Sequence, residues 1–363
     1  MKAMMAILAL MAAPLAAQEV ERPRVDVVFC IDRSGSMQQV IDTAKRKVWT
    51  IVNEIGRAKP APILRIGLIG YGSADREFKM FPLSSDLDKV YEDLLTFRTD
   101  MGGDEWVGAA IRKAADEIDW AKGKKDVRII FMVGNETAMQ GRPDVLYTKT
   151  APEAIRKDIV VNAIYCGRPN PDEERTWREV ASLADGQYTV IELSGGAVTV
   201  ATPHDAKLAE LSRQLNGTYV GYGRRGQDGR EKQLKADAAS EQAGGAPAAA
   251  ARAEAKAGGN YSNAEWDLVD AAKDKAFKLE QVKEEELPAE MKPMKPEERK
   301  AYVEKKSAER AALQKQIADL SAERQKFIEA EIKAKNLDQN KAFDEAVRKC
   351  IRDQAGKKGM SFE

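Results

Sequence analysis

The stretch that most constrains this chain runs from Val25 to Met37 and reads Val-Asp-Val-Val-Phe-Cys-Ile-Asp-Arg-Ser-Gly-Ser-Met. Its β-branched and apolar residues suit a strand buried on both faces of a parallel sheet. The run stops abruptly at Asp32, Ser34 and Ser36, and a helical pattern begins at once (Val40, Ile41, Ala44, Val48, Ile51, Val52, Ile55). In open α/β sheets, ligands bind in the crevice outside the carboxyl ends of the strands. Three oxygen-bearing side chains at alternating positions of one tight turn can converge on a point. All are hard donors, which suits Mg²⁺ or Mn²⁺ and not a soft metal. The plainer alternative is a Ser/Gly turn that caps a helix.

Asp32-Arg33-Ser34-Gly35-Ser36-Met37 resembles the Asp-x-Ser-x-Ser signature of the von Willebrand factor type A (VWA) domain, where it forms the first loop of a metal-ion-dependent adhesion site (MIDAS). The resemblance implies two further loops. In the family the second supplies a Thr, or in some branches a Glu. Matching Gly108-Ala109-Ala110-Ile111 to the family's Gly-x-Ala-Leu places Glu105 there. Its neighbour Asp104 is a weaker substitute, and the plainer alternative for both is an acidic residue in a first helical turn, favoured by the helix dipole. The third loop follows the apolar run Asp126–Val133, and the family usually has Thr-Asp-Gly in it. This chain has Gly134-Asn135-Glu136-Thr137, so Asn135 offers an oxygen without a charge, with Glu136 beside it. The implied ligand set is Asp32, Ser34, Ser36, Glu105 and Asn135 around Mg²⁺ or Mn²⁺. The open position would take water or an acidic side chain of a protein partner.

Strand patterns at Ile63–Tyr71, Glu77–Leu83, Ile159–Cys166 and Gln187–Leu193 join the two already named. Helical patterns alternate with them at Gln38–Ile55, Leu87–Phe97, from Val107, Ala151–Lys157, Glu173–Ala184 and Asp205–Leu215. This alternation predicts a doubly wound α/β domain with a mostly parallel six-stranded sheet flanked by helices. The VWA resemblance covers Arg24 to Gly223 and is nearest to a bacterial exported type.

Around this domain the chain divides further. Residues 1–17 read as a secretory signal: Lys2, a short apolar core, then small residues. The protein is therefore expected to be exported, periplasmic or secreted, with no transmembrane segment after cleavage. Residues 224–260, rich in Gly and Ala, read as a low-complexity linker. Residues 261–363 read as a helical, coiled-coil-like region. In it Leu313, Ile317, Leu320 and Phe327 keep a four-three spacing that Arg324 interrupts, which gives a route to self-association. Cys30, Cys166 and Cys350 are too few for a disulfide framework and read as small core residues.

Fifty-eight basic residues balance 58 acidic ones, so no attraction to nucleic acid is implied. A serine hydrolase would need a base, and the single histidine, His204, reads as a helix-entry residue; no Gly-x-Ser-x-Gly elbow is present. The expected function is metal-dependent protein binding, not catalysis. One alternative makes the VWA domain a scaffold and the C-terminal helices the binding part. A more remote one is a metal-dependent hydrolase.

Overall fold

The computed structural model describes residues 22–72, 78–100, 102–194, 199–336 and 342–362; the expected signal at residues 1–17 lies outside them. The first two hundred residues form β1 (Arg24–Asp32), α1 (Gln38–Gly56), β2 (Ala58–Lys59), β3 (Ile63–Tyr71), β4 (Lys79–Ser84), α2 (Leu87–Leu95), α3 (Val107–Glu117), β5 (Val127–Gly134), α4 (Tyr147–Arg156), β6 (Val160–Cys166), α5 (Pro171–Ser182), β7 (Tyr188–Ile191) and α6 (Asp205–Asn216). The main sheet has the order β4-β3-β1-β5-β6-β7, with β4 antiparallel to β3 and the other pairs parallel. This is the expected mostly parallel, six-stranded, helix-flanked arrangement. Exposed Pro82 lies on edge strand β4, where a missing N–H costs no ladder bond.

Period-two alternation builds two cores, one on each sheet face. Val25, Val27, Phe29 and Ile31 of β1 join Val127, Ile129, Phe131 and Val133 of β5 on one face. Val28 and Cys30 join Ile130 and Met132 on the other. Cys30 and Cys166 are buried free thiols, and β5 lies between their strands.

Helix α4 begins four residues before the expected Ala151. Pro152 therefore lies inside it, not in its first turn. The larger difference follows Gly223. The stretch read as a linker forms α7 (Gly226–Ala257), kinked at Gly245 where φ is +65°. Then come α8 (Leu268–Ala271), α9 (Pro296–Ala334), α10 (Phe343–Lys357) and β8 (Ser361–Phe362), which pairs antiparallel with β2. Small residues make α7 a packing helix. Ala is the best helix former, and a helix surface of Ala and Gly lets other side chains come close. Gly229 shows the closeness, since a Cβ there would lie 2.4 Å from the Trp266 ring. Ala250, Ala251, Ala253 and Ala255 are buried in the core that also holds Trp49 and Ile55 of α1.

The seam that suggested a coiled coil is used within the chain. Ile317 is fully buried, and Leu313 and Leu320 pack around it on the same core. Arg324, which breaks the pattern, extends its guanidinium to Asp205 of α6 at 2.7 Å. Helix α10 lies against α1 and the sheet, with Phe343 6.2 Å from Phe29, centroid to centroid.

Candidate functional site

Strand β1 ends at Asp32, beside the point where the chain crosses from one half of the sheet to the other. Asp32 is buried, and the turn after it curls back over its carboxylate. The Ser34 N–H donates to Asp32 Oδ1 at 2.7 Å and the Ser34 hydroxyl to Oδ2 at 2.9 Å. Ser34 Oγ and Ser36 Oγ lie 3.1 Å apart. Ser36 Oγ donates to Asn135 Oδ1 at 3.2 Å, joining the loop after β1 to the loop after β5. Four of the five expected residues are thus linked in one hydrogen-bonded chain.

Glu105, the fifth, precedes α3. A close approach fixes the start of that helix: a Cβ on Gly108 would stand 2.1 Å from the Val145 carbonyl oxygen. Glu105 is 1% exposed, and among the described residues neither side-chain oxygen has a well-formed hydrogen bond. Burial first, and then the Asp32 carboxylate facing it, push the Glu105 carboxyl well up from its ordinary range. Asp32 moves up too, because desolvation outweighs its bonds from Glu105 and Ser34. Two buried carboxyls that face each other without a cation are costly, and a divalent ion between them would remove that cost.

Surrounding groups fix these loops. Arg33 spans from the first loop to Asp100 and to the Arg98 carbonyl. The Tyr165 hydroxyl hydrogen-bonds the Asn135 carbonyl at 2.8 Å, and Trp177 Nε1 donates to the Glu136 carbonyl at 2.5 Å. Gln140 accepts from the Glu105 N–H, and its own amide donates to Glu136 Oε2 at 3.1 Å. Nothing in the sequence singles out Gln140, since 35 residues separate it from Glu105. Asp104 is exposed and precedes the N-cap Trp106, so the expected placement of an acidic residue in the first turn of α3 does not occur.

The oxygen set fits a hard divalent cation by its chemistry: two carboxylates, two hydroxyls and an amide oxygen. Among the described residues no three His, Cys, Asp or Glu side chains cluster as a cation site. Any ion here would therefore depend on the hydroxyl and amide oxygens. His204 stands at the start of α6, 3.9 Å from Glu323 and edge-on to Phe327, both of α9. Ser34 and Ser36 hydrogen-bond to Asp32, Asn135 and each other, and His204 lies elsewhere, against α9.

The fold and this loop cluster define a doubly wound α/β domain with a group of oxygen-bearing side chains at its topological switch point. Residues 27–136 match the family model described as von Willebrand factor type A domain, and the chain is a VWA-domain protein. No curated protein matches it. Among solved structures it is similar to the conserved hypothetical protein BatB from Bacteroides thetaiotaomicron, at 18% identity over 46% of this chain and 90% of that one, TM-score 0.38. It is similar to a von Willebrand factor type A protein from Catenulispora acidiphila, at 15% identity over 47% of this chain and 39% of that one, TM-score 0.37. It is also similar to proximal thread matrix protein 1 from the mussel byssus, described with a zinc-occupied MIDAS motif, at 15% identity over 48% of this chain and 45% of that one, TM-score 0.39. The chain spans less than half the length of the last two.

Proposed function

We propose that this protein is a divalent-cation-dependent protein-binding module, with Mg²⁺ or Mn²⁺ held by Asp32, Ser34, Ser36, Glu105 and Asn135. The observation that carries this reading is Glu105: a buried carboxyl beside Asp32, with two oxygens that no well-formed hydrogen bond from the described residues reaches. A bound ion would supply Lewis acidity and an open coordination position for a partner's oxygen. The residues' own work is to shape that position. Asp32 holds the Ser34 backbone and hydroxyl, and Asn135 holds the Ser36 hydroxyl.

The partner group in this reading is an acidic side chain, and the module works in an exported, periplasmic or secreted protein. Among the described residues no helix is long and apolar enough to cross a membrane. Glu105 in place of a neutral Thr lowers the positive charge on the loaded site, so partner carboxylates should bind more weakly than at a Thr-type site.

The test is calorimetric titration of Mg²⁺ and Mn²⁺ into the full chain and into a Ser34→Ala/Ser36→Ala variant. Saturable binding by the first and its loss in the second supports the reading; equal binding by both, or by neither, overturns it. Acetate, a minimal partner carboxylate, then probes the loaded site. It should bind more tightly to Glu105→Thr than to the natural chain.

A further inference from the structure

We propose that Gln140 is a positioning residue for this site: its side-chain amide clips the loop carrying Glu105 to the loop carrying Glu136, and so sets cation affinity without touching the ion. The inference rests on reading the loop cluster as a cation site.

The two ends of the amide are used in opposite senses. Its carbonyl oxygen accepts the Glu105 backbone N–H, and its NH₂ donates to Glu136 Oε2 at 3.1 Å. That pairing also fixes the amide's orientation, since a backbone N–H needs an acceptor and a carboxylate needs a donor. No other neutral side chain of this length has both.

The Glu105 side chain has no comparable anchor. Among the described residues neither of its oxygens is met by a well-formed hydrogen bond, and the group beside it, Asp32, is a second acid. What keeps the carboxylate in place is its backbone. On one side Trp106 N–H donates to the Gly72 carbonyl at 3.2 Å, and on the other the Glu105 N–H meets Gln140. Freeing that N–H loosens the residue's position beside Asp32, because no well-formed side-chain hydrogen bond among the described residues replaces the lost one. The far side of the clip is firm. The Asn135 and Glu136 carbonyls are tied to Tyr165 and Trp177, so the third loop is a fixed post to which the second is attached. Groups that orient metal ligands from behind typically change metal affinity 10- to 100-fold when removed.

The experiment is a double-mutant cycle on the full chain, with Mn²⁺ as the probe and its free electron paramagnetic resonance signal as the readout. The variants are Gln140→Met, which keeps the side chain's bulk, Glu105→Ala, and the pair together. Gln140→Met alone should weaken Mn²⁺ binding about tenfold. In the Glu105→Ala background it should cost less than twofold, because a residue that acts through Glu105 has nothing left to position. Urea midpoints for all four proteins distinguish a misfolded variant from a mispositioned ligand. Equal weakening in both backgrounds overturns the inference while leaving the cation site standing. A natural chain that binds no Mn²⁺ overturns the site itself and the clip with it.

Discussion

Asn162 of β6 and Gln354 of α10 exchange side-chain amide hydrogen bonds in both directions, at 3.2 and 2.7 Å, across 192 residues of sequence. Both are buried. The pair fastens the last helix to the sheet, where Phe343, Val347 and Ile351 fill the same core as Phe29 and Phe131. The α/β domain of this chain is thus completed by its final helix and does not end with α6.

Removing the fastening should be measurable without touching the site. Gln354→Leu leaves the Asn162 Nδ2 without its acceptor, while Asn162 Oδ1 keeps the Gln187 N–H at 2.9 Å. The expected loss is about 1–3 kcal/mol of stability, read from urea unfolding at unchanged slope. Ending the chain at Lys335 should do far more. It uncovers several large apolar side chains, each worth about 1.5–3 kcal/mol when buried. That protein should lose cooperative unfolding, and a truncation that still unfolds cooperatively near the full-length midpoint would contradict the packing described.

Asn135 offers a second prediction. Asn135→Asp keeps an acceptor for the Ser36 hydroxyl and adds a negative charge to a site where Asp32 and Glu105 already oppose each other. Without metal the variant should be less stable than the natural chain; with Mn²⁺ it should bind more tightly, by about tenfold for one added close charge. Thermal melts with and without Mn²⁺ test both signs together. A variant whose affinity is unchanged would remove position 135 from the ligand set.

How much of this was readable beforehand varied with the kind of interaction. The central strands were, because burial on both faces forces continuous apolar runs, as in Val127–Gly134. The first loop was too, because three oxygen donors fall within five residues. Glu105 was placed only through the family pattern, and its burial opposite Asp32 has no local signal. The Gly/Ala-rich segment has too few large apolar groups for its packing to show in composition. In α7 the close approach of Gly229 and the buried alanines does that work. Arg324 looked like a break in a heptad. Its partner Asp205 lies 119 residues away, so its purpose was invisible from spacing.

The same blindness applies to Arg310, which reads as one more charge on α9. It is buried, with Nη1 on Asp267 at 2.6 Å and on Asp270 at 2.9 Å, Nη2 on the Thr218 carbonyl at 2.8 Å, and its guanidinium 4.0 Å from the Tyr219 ring. Arg310→Met leaves Asp267 buried without its cation, while Asp270 keeps Lys273 at 2.7 Å. The expected cost is about 3–5 kcal/mol, the range for breaking a buried pair from one side. Adding Asp267→Asn should recover part of it, since the stranded charge is then gone. Chemical denaturation of the single and double variants gives the comparison, and a double variant no more stable than the single one would rule out charge as the cause.

Lys256 gives a prediction in pH. Its ammonium is fully buried on α7, 3.0 Å from Ser212 Oγ, 2.5 Å from Asn216 Oδ1 and 2.7 Å from Asp237 Oδ2. Burial dominates over attraction to Asp237, and Arg252 on the same carboxylate adds repulsion, so its pKa falls from 10.5 to about 8. Between those values the unfolded chain holds a proton that the folded chain has released, so this residue's contribution to stability rises with pH. Below about 8 both states hold the proton, and the full cost of burying the charge is present. Buried Tyr219 and Tyr261, whose hydroxyls are pushed up by burial, act in the opposite sense at alkaline pH, so the natural chain alone does not isolate the effect. Lys256→Met does, because it removes only the amine and leaves Asp237 on Arg252 Nε at 2.9 Å. The stability of the natural chain relative to Lys256→Met should increase as pH is raised from 8 toward 10, measured by urea unfolding at each pH. A difference that stays flat across that interval would mean the ammonium remains charged, stabilised by its three acceptors more than its burial destabilises it.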